Sequence, residues 1–437
     1  MLPLLDLARL IFETLFYGLF GWLVNPGLFF FPIMIAVVIS MVLRQYVRQA
    51  KLEEHLFGAT FSQPLRQVLI SLGFGILGGL IASFIMTSLG IALSEEMGII
   101  YVWPVVLVLM AINPRFMCFA YGGGVVGLVA LLLRGLASYY PGLSNIGLFA
   151  GLMAVDLPSL MGLVGLLHLT ESFLIFVSGH LNASPIVIES PRGEVVGGFM
   201  LQRFWPMPMA ALMAKVISET DLIGESIGMP AWWPLLKPLL EPGPGMILML
   251  YTFPIVAALG YSDIAVSTTP REKSRWSARN LLVYSLLLIS LAIAAGYKGE
   301  LQILPVLFAP LAHEYLIQAG NRREWRGQPL LGPATRGVRL LTVLPNSPAQ
   351  EQGLDSGWII LTVNGIEVNT RQQLTHALNL LPGLAELDVI SPQGRPAAFA
   401  FISGKARSDW CRFLTALPKA HISNWAAKDS SLDCGRR

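Results

Sequence analysis

The sequence predicts a polytopic α-helical membrane domain followed by a small α+β domain, with a change of solvent near Asn321. Three observations carry this. The 437 residues are 54% hydrophobic and 13% charged, about half the ~25% charge typical of soluble globular proteins, and the mean hydropathy is +0.62. Long apolar runs at 68–93, 281–296 and 301–312 account for the deficit; a helix needs ~20 such residues to cross the hydrocarbon core. Beyond Asn321 the long runs stop, and 337–368 read as short strands, turns and a helix start. The predicted division is a multipass membrane domain over 1–320, a small domain over 330–405 and a disordered, solvated tail over 406–437.

Candidate spans fall in order at 5–24, 26–43, 68–93, 99–113, 116–133, 159–178, 204–218, 246–263, 280–297 and 301–319. The stretch 142–157, GLSNIGLFAGLMAVDL, is too short and too interrupted to span. It is expected to be re-entrant or interfacial, because irregular backbone is tolerated where protein shields it. Eight to ten helices are therefore predicted. Asp6 and Glu13 interrupt the first stretch and no small-residue cleavage site precedes Arg44, so a cleaved signal peptide is not expected.

Orientation follows the short loops that hold Lys and Arg. Arg44, Arg48, Lys51 and Arg66 form one cluster; Arg271, Lys273, Arg275 and Arg279 form a second; Arg322, Arg323 and Arg326 follow the last span. Strict alternation puts all three on one side, read as cytoplasmic, together with the C-terminal domain. The opposite loops hold Glu95, Glu96, Glu219, Asp221, Glu225 and Glu241, with Arg134 as an exception. The net charge of +3 thus reflects topology and gives no reason to expect nucleic acid.

Two segments of the membrane domain are not simply apolar. Residues 180–205 alternate β-branched and polar side chains around Pro191-Arg192-Gly193 and predict a short cytoplasmic hairpin. Residues 219–245 carry Trp232, Trp233 and five prolines, which suits an outer loop with aromatic residues at the interface.

Ionisable residues inside spans are expensive and invite a functional reading. A zinc protease needs His-Glu-x-x-His, which sets two imidazoles four apart on one helical face with Glu as base. After His313-Glu314 the second position is Ile317; after His168 come Leu169 and Ser172. A divergent metal site would have to gather His168, Glu171 and His180, with Asp156 as a further candidate. Polar pairing inside a helix bundle explains the same residues more simply. The cysteines Cys118, Cys411 and Cys434 make no metal spacing, and Cys118, inside an apolar run, reads as a small hydrophobe. No serine-hydrolase elbow or Walker lysine is present. YGGGVVG at 121–127 reads as close helix packing. No enzyme activity, metal or cofactor is expected.

The C-terminal domain begins with the alternating strand 337–343. Ser347-Pro348 starts a short helix as cap and first-turn proline, and Gly353 ends it. Asn364-Gly365 makes a hairpin turn. A second helix over 370–381 starts at Thr370 and sets Leu374, Ala377, Leu378 and Leu381 on one face. Strand candidates at 386–391 and 397–402 flank SPQGRP. Ser347-Pro348-Ala349, Gly353-Leu354, Gly357, Ile360-Leu361 and Val363-Asn364-Gly365 resemble the signature of bacterial PDZ domains, with Asn346 and Trp358 where Gly and Asp are usual. The resemblance implies binding of an extended peptide by strand addition, with Leu374, His376 and Ala377 as groove candidates. Leu330-Leu331-Gly332 is a loose counterpart of the loop that captures a terminal carboxylate.

Site-2 proteases also join membrane helices to PDZ domains, but their metal motif is missing here. A better likeness is the MinJ-type cell-division topological determinant of Gram-positive rods. It rests on NPGLFFFPIMIAVVI, on SGHLNASPIVIESPRGEVVGGFMLQRFWPMP, and on FAPLAHEYLIQAGNRREW ahead of a terminal PDZ module. This resemblance implies a membrane adaptor in septum site determination. It would be recruited to poles and septum by a DivIVA-like protein and would hold a MinD-like protein.

Overall fold

In the computed structural model the described residues are 2–57, 60–221, 226–343, 347–380, 384–402 and 413–415. The membrane body comprises α1 (Leu4–Phe20), α2 (Phe30–Phe57), α3 (Pro64–Leu89), α4 (Ile99–Ile112), α5 (Phe119–Ala137), α6 (Gly147–Met153) and α7 (Leu157–Ser178). Three strands follow, β1 (Ser184–Glu189), β2 (Val195–Ser218) and β3 (Met246–Ala265), and then α8 (Pro270–Tyr297) and α9 (Ile303–Arg326). Among the described residues, six helical segments are long and apolar enough to cross a membrane: Pro26–Phe57, Pro64–Leu89, Glu95–Ile112, Phe119–Ala137, Leu157–Ser178 and Pro270–Tyr297. The chain is a multipass membrane protein. The segment 142–157 holds most of a short 3-10 turn, Pro141–Asn145, and the seven-residue α6, neither long enough to span.

The expected spans at 204–218 and 246–263 are not helices. They are the paired arms of one antiparallel ribbon, in unbroken register from Phe199↔Ala265 to Ser218↔Met246. Both arms are apolar on both faces, which erases the period-two signal and leaves only hydropathy to read. The sequence did hold a contrary sign. Pro206 and Pro208 stand two apart, a spacing that would break a helix but suits a strand whose missing N–H groups face outward.

That outward edge decides whether a strand can sit among membrane helices, since an unpaired backbone group costs several kcal/mol away from water. The outward N–H positions of β2 from Phe204 to Ala210 are all accounted for. Phe204 N donates to Tyr46 Oη (3.4 Å), and Pro206 and Pro208 have no N–H. Ala210 N donates to Ser83 Oγ (2.8 Å). Leu212 O accepts from Leu93 N (2.7 Å), and Ala214 N donates to Leu93 O (2.8 Å).

The covering helix is α3. A Cβ at Gly75 would lie 2.0 Å from Pro206 O, and one at Gly79 would lie 2.1 Å from Pro208 O. Gly75, Gly79 and Ser83 thus meet Pro206, Pro208 and Ala210 in step. Four helical residues rise ~6 Å and two strand residues ~6.6 Å, so the stripe and the strand stay matched. Pro254 pairs with Ala210 and so also turns its missing N–H outward, where its Cβ meets the position a Cβ of Gly18 in α1 would take (2.7 Å).

The expected hairpin over 180–205 is present, closed by Ser190 N donating to Glu194 O (2.7 Å). It lies at the end of the body where all three basic clusters gather. Glu53 of α2 accepts from Ser184 of β1, and Arg203 donates to Gln67 near the start of α3 (2.6 Å). Glu324 near the end of α9 accepts from the backbone of Val266 (3.0 Å), Ser267 (2.9 Å) and Thr268 (3.2 Å) and from Thr268 Oγ1 (2.7 Å). Burial pushes this carboxyl up, but the donors and Lys273 outweigh it and hold its pKa below the usual value. At the opposite end, Arg134 donates to the carbonyls of Met153 (2.8 Å) and Val155 (2.7 Å) and to Gln302 (2.7 Å). Closing carbonyls there explains a cation on the acidic side.

The C-terminal module contains β4 (Val338–Val343), α10 (Pro348–Glu351), β5 (Ile359–Val363), β6 (Ile366–Glu367), α11 (Arg371–Leu380), β7 (Leu384–Ile390), β8 (Pro396–Ile402) and β9 (Phe413–Thr415). This is the PDZ-like order expected, and the fold class holds. Gly353 (φ 92°), Asn364 (φ 49°) and Gly365 (φ 76°) take the left-handed conformations their turns require. Thr370 Oγ1 accepts from Gln373 N (3.2 Å), while Gln373 Oε1 accepts from Thr370 N (3.1 Å), a capping box at the start of α11. Trp358 packs edge-on against Phe399 at 5.5 Å. Asn346, Leu381, Cys411 and Cys434 lie outside the described residues, as does the tail over 406–437 apart from β9.

Candidate peptide-binding edge and intramembrane cluster

The sheet of the module runs β8-β7-β5-β4-β9. Beside β4 the sheet is completed by a stretch of the chain's own tail. Leu340 pairs with Thr415, Thr342 with Leu414 and Val343 with Phe413, antiparallel and with one irregularity. An extended segment has therefore added itself as a strand along β4, the geometry of strand addition. Of the predicted groove residues on α11, Leu374 and Ala377 are buried in the module's core beside Val338, Leu340 and Val363, and His376 is exposed.

Leu330, Leu331 and Gly332 are placed by the membrane body. Leu330 N donates to Val266 O and Leu331 O accepts from Gly197 N, both at 2.9 Å. Leu331 is buried, and a Cβ at Gly197 would meet Leu341 Cδ1 at 2.5 Å. This stretch joins the module to β2.

A second constellation lies between helices α5, α7 and α9. Cys118 Sγ is 3.2 Å from His168 Nε2 and 3.9 Å from His313 Nε2. Cys118 is the N-cap of α5, in extended backbone, and Sγ accepts from Ala120 N (3.4 Å). His168 is buried on α7, with Nδ1 2.7 Å from Val164 O; donation there turns the Nε2 lone pair toward the sulfur. His313 is held by rings: Tyr121 at 5.3 Å, His168 at 5.1 Å and Tyr284 at 5.8 Å. Beside it Glu314 pairs with Arg115 and accepts from Tyr121 Oη (2.7 Å) and Gln318 Nε2 (2.8 Å).

Glycine makes this meeting possible. A Cβ at Gly124 would stand 2.7 Å from the ring of Pro310, and one at Gly127 2.8 Å from Val306. The YGGGVVG stretch packs helices closely, as expected, and so brings α9 and His313, one turn past Pro310, against α5.

The predicted set of His168, Glu171 and His180, with Asp156, does not converge. His180 follows the end of α7 and Asp156 caps its start; each is twelve residues from His168, or ~18 Å along a helix axis. His180 instead lies near Arg271, Arg275 and Arg203. Burial, followed by those three charges, lowers its pKa. Glu171 stays on α7 outside the cluster. Cys118 is correspondingly more than the small hydrophobe its apolar surroundings suggested. The break at Asn113-Pro114-Arg115 marked it as the start of a helix, but nothing local linked it to residues 50 and 195 positions away.

A helical membrane body carrying a PDZ-like module is the class that the fold defines. Within that class the chain is similar to the "Cell division topological determinant MinJ" of Bacillus subtilis (strain 168), with 26% identity over 375 residues that cover 85% of this chain and 88% of that protein. The MinJ-type resemblance seen in the sequence motifs therefore extends along most of the chain. No family model matches, and no solved structure matches.

Proposed function

We propose that this protein is a membrane adaptor in division-site placement, with the PDZ-like module in the cytoplasm and its β4 edge as the docking strand. The observation that carries the reading is the strand added at β4 by residues 413–415. It supports recognition of an internal extended segment through main-chain hydrogen bonds, with side-chain pockets supplying specificity. His376 on α11 is exposed beside the core residues Leu374 and Ala377 and is the groove side chain most open to a partner. Recognition of a free C-terminus is disfavoured, because Leu330 N and Leu331 O are already engaged by the membrane body.

The similarity to a division topological determinant supports a role in division, with DivIVA-like and MinD-like proteins as the partners to test. The gathering of all three basic clusters at the module's end of the body supports its cytoplasmic placement. A fluorescent fusion of the full chain, at native level, is expected to collect at poles and septa. Uniform distribution around the membrane would count against the proposal.

A further inference from the structure

We propose that Cys118, His168 and His313 form a zinc site inside the membrane body, a role independent of the adaptor reading. The three ligand atoms lie within 4.8 Å of one another, although the residues come from three helices and nothing in their sequence spacing requires them to meet. Tetrahedral zinc with Zn–S of ~2.3 Å and Zn–N of ~2.05 Å sets sulfur and nitrogen ~3.6 Å apart. The two sulfur–nitrogen distances, 3.2 and 3.9 Å, bracket that value.

The surroundings suit a metal as well as the distances do. Cys118 stands at the N-cap of α5 and presents a sulfur, a soft donor that suits zinc. The partner of a metal-binding imidazole normally holds its other nitrogen, which fixes tautomer and ring plane; Val164 O does this for His168. Tyr121 and Tyr284 wall the second imidazole, and Glu314 stands outside the cluster, occupied by Arg115, Tyr121 and Gln318. One thiolate with two imidazoles selects zinc or a late transition ion over magnesium or calcium, which take oxygen ligands. Three protein ligands leave a fourth position for water or another small donor.

The test is metal content of the full-length protein purified in detergent, before and after exposure to zinc, with cobalt as spectroscopic probe. Wild type should hold zinc near stoichiometrically and, with cobalt, show a sulfur-to-metal charge-transfer band and tetrahedral ligand-field bands. Loss of one ligand should weaken metal affinity ~10-fold or more, as even an outer-shell partner does. That loss is expected in Cys118→Ser, His168→Asn and His313→Asn. His180→Gln should keep the metal. Cys118→Ser preserves shape, so the cobalt–thiolate band in wild type and its loss in that variant decide the matter if a histidine variant fails to fold. Folded wild type that takes up no metal, or metal retained undiminished in Cys118→Ser, overturns the site. Zinc-free protein with a rapidly alkylated Cys118 also overturns it, and would mark the sulfur as a nucleophile.

Discussion

Two strand edges in this molecule are treated in opposite ways. The outward edge of β2 is closed: prolines delete two donors, Tyr46 and Ser83 satisfy two more, and Leu93 pairs beyond them. The outward edge of β4 takes in an extended strand from elsewhere in the chain. The difference follows solvent and use. In lipid an unmet backbone group has no water to fall back on, so the edge must be finished within the fold. In water an open edge is tolerable, and it becomes a template for another chain.

The comparison breaks most severely at the glycines of α3. Replacing Gly75 or Gly79 with Leu puts side-chain atoms where the carbonyls of Pro206 and Pro208 stand and forces helix from ribbon. We expect a loss of about 3 kcal/mol or more, seen as a much lower thermal unfolding temperature in detergent or as failure to accumulate. A smaller loss is expected for Ser83→Ala, which leaves Ala210 N buried without an acceptor. Such an orphan costs about 1–3 kcal/mol, and the same unfolding measurement reads it; an unchanged midpoint would show that the edge does not need closing.

Deletion of 413–415 sharpens the contrast from the other side. Amide exchange along β4 should quicken while that of β2 stays slow. Equal protection of β4 with and without the segment would mean that the edge is not held by it.

The smallest effect is expected at His180. Its pKa is lowered in the fold by burial and then by Arg271, Arg275 and Arg203, whereas an unfolded histidine titrates near ~6.5. Below that pH the unfolded chain binds a proton that the folded one refuses, so stability falls as the medium acidifies. The His180→Gln variant should therefore show a shallower decline of unfolding temperature from neutral to mildly acidic pH than wild type. Identical slopes would assign the pH response elsewhere.

By itself the sequence determined the helices of the body apart from the ribbon, the 180–205 hairpin and the PDZ-like module down to its Asn364-Gly365 turn. These features are written in local terms: run length, alternation, caps, and residues that accept positive φ. The tertiary structure alone decided that 204–218 and 246–263 are strands, because both faces of the ribbon are apolar and periodicity vanishes. Only Pro206 and Pro208 hinted at it. It also decided that His168 meets Cys118 and His313 instead of Glu171 and His180. Helix rise carries Asp156 and His180, beyond the two ends of α7, far from His168, while close packing at Gly124 and Gly127 helps bring residues from three helices together. A local pattern can state what a segment is; which segments touch depends on how closely their backbones can approach.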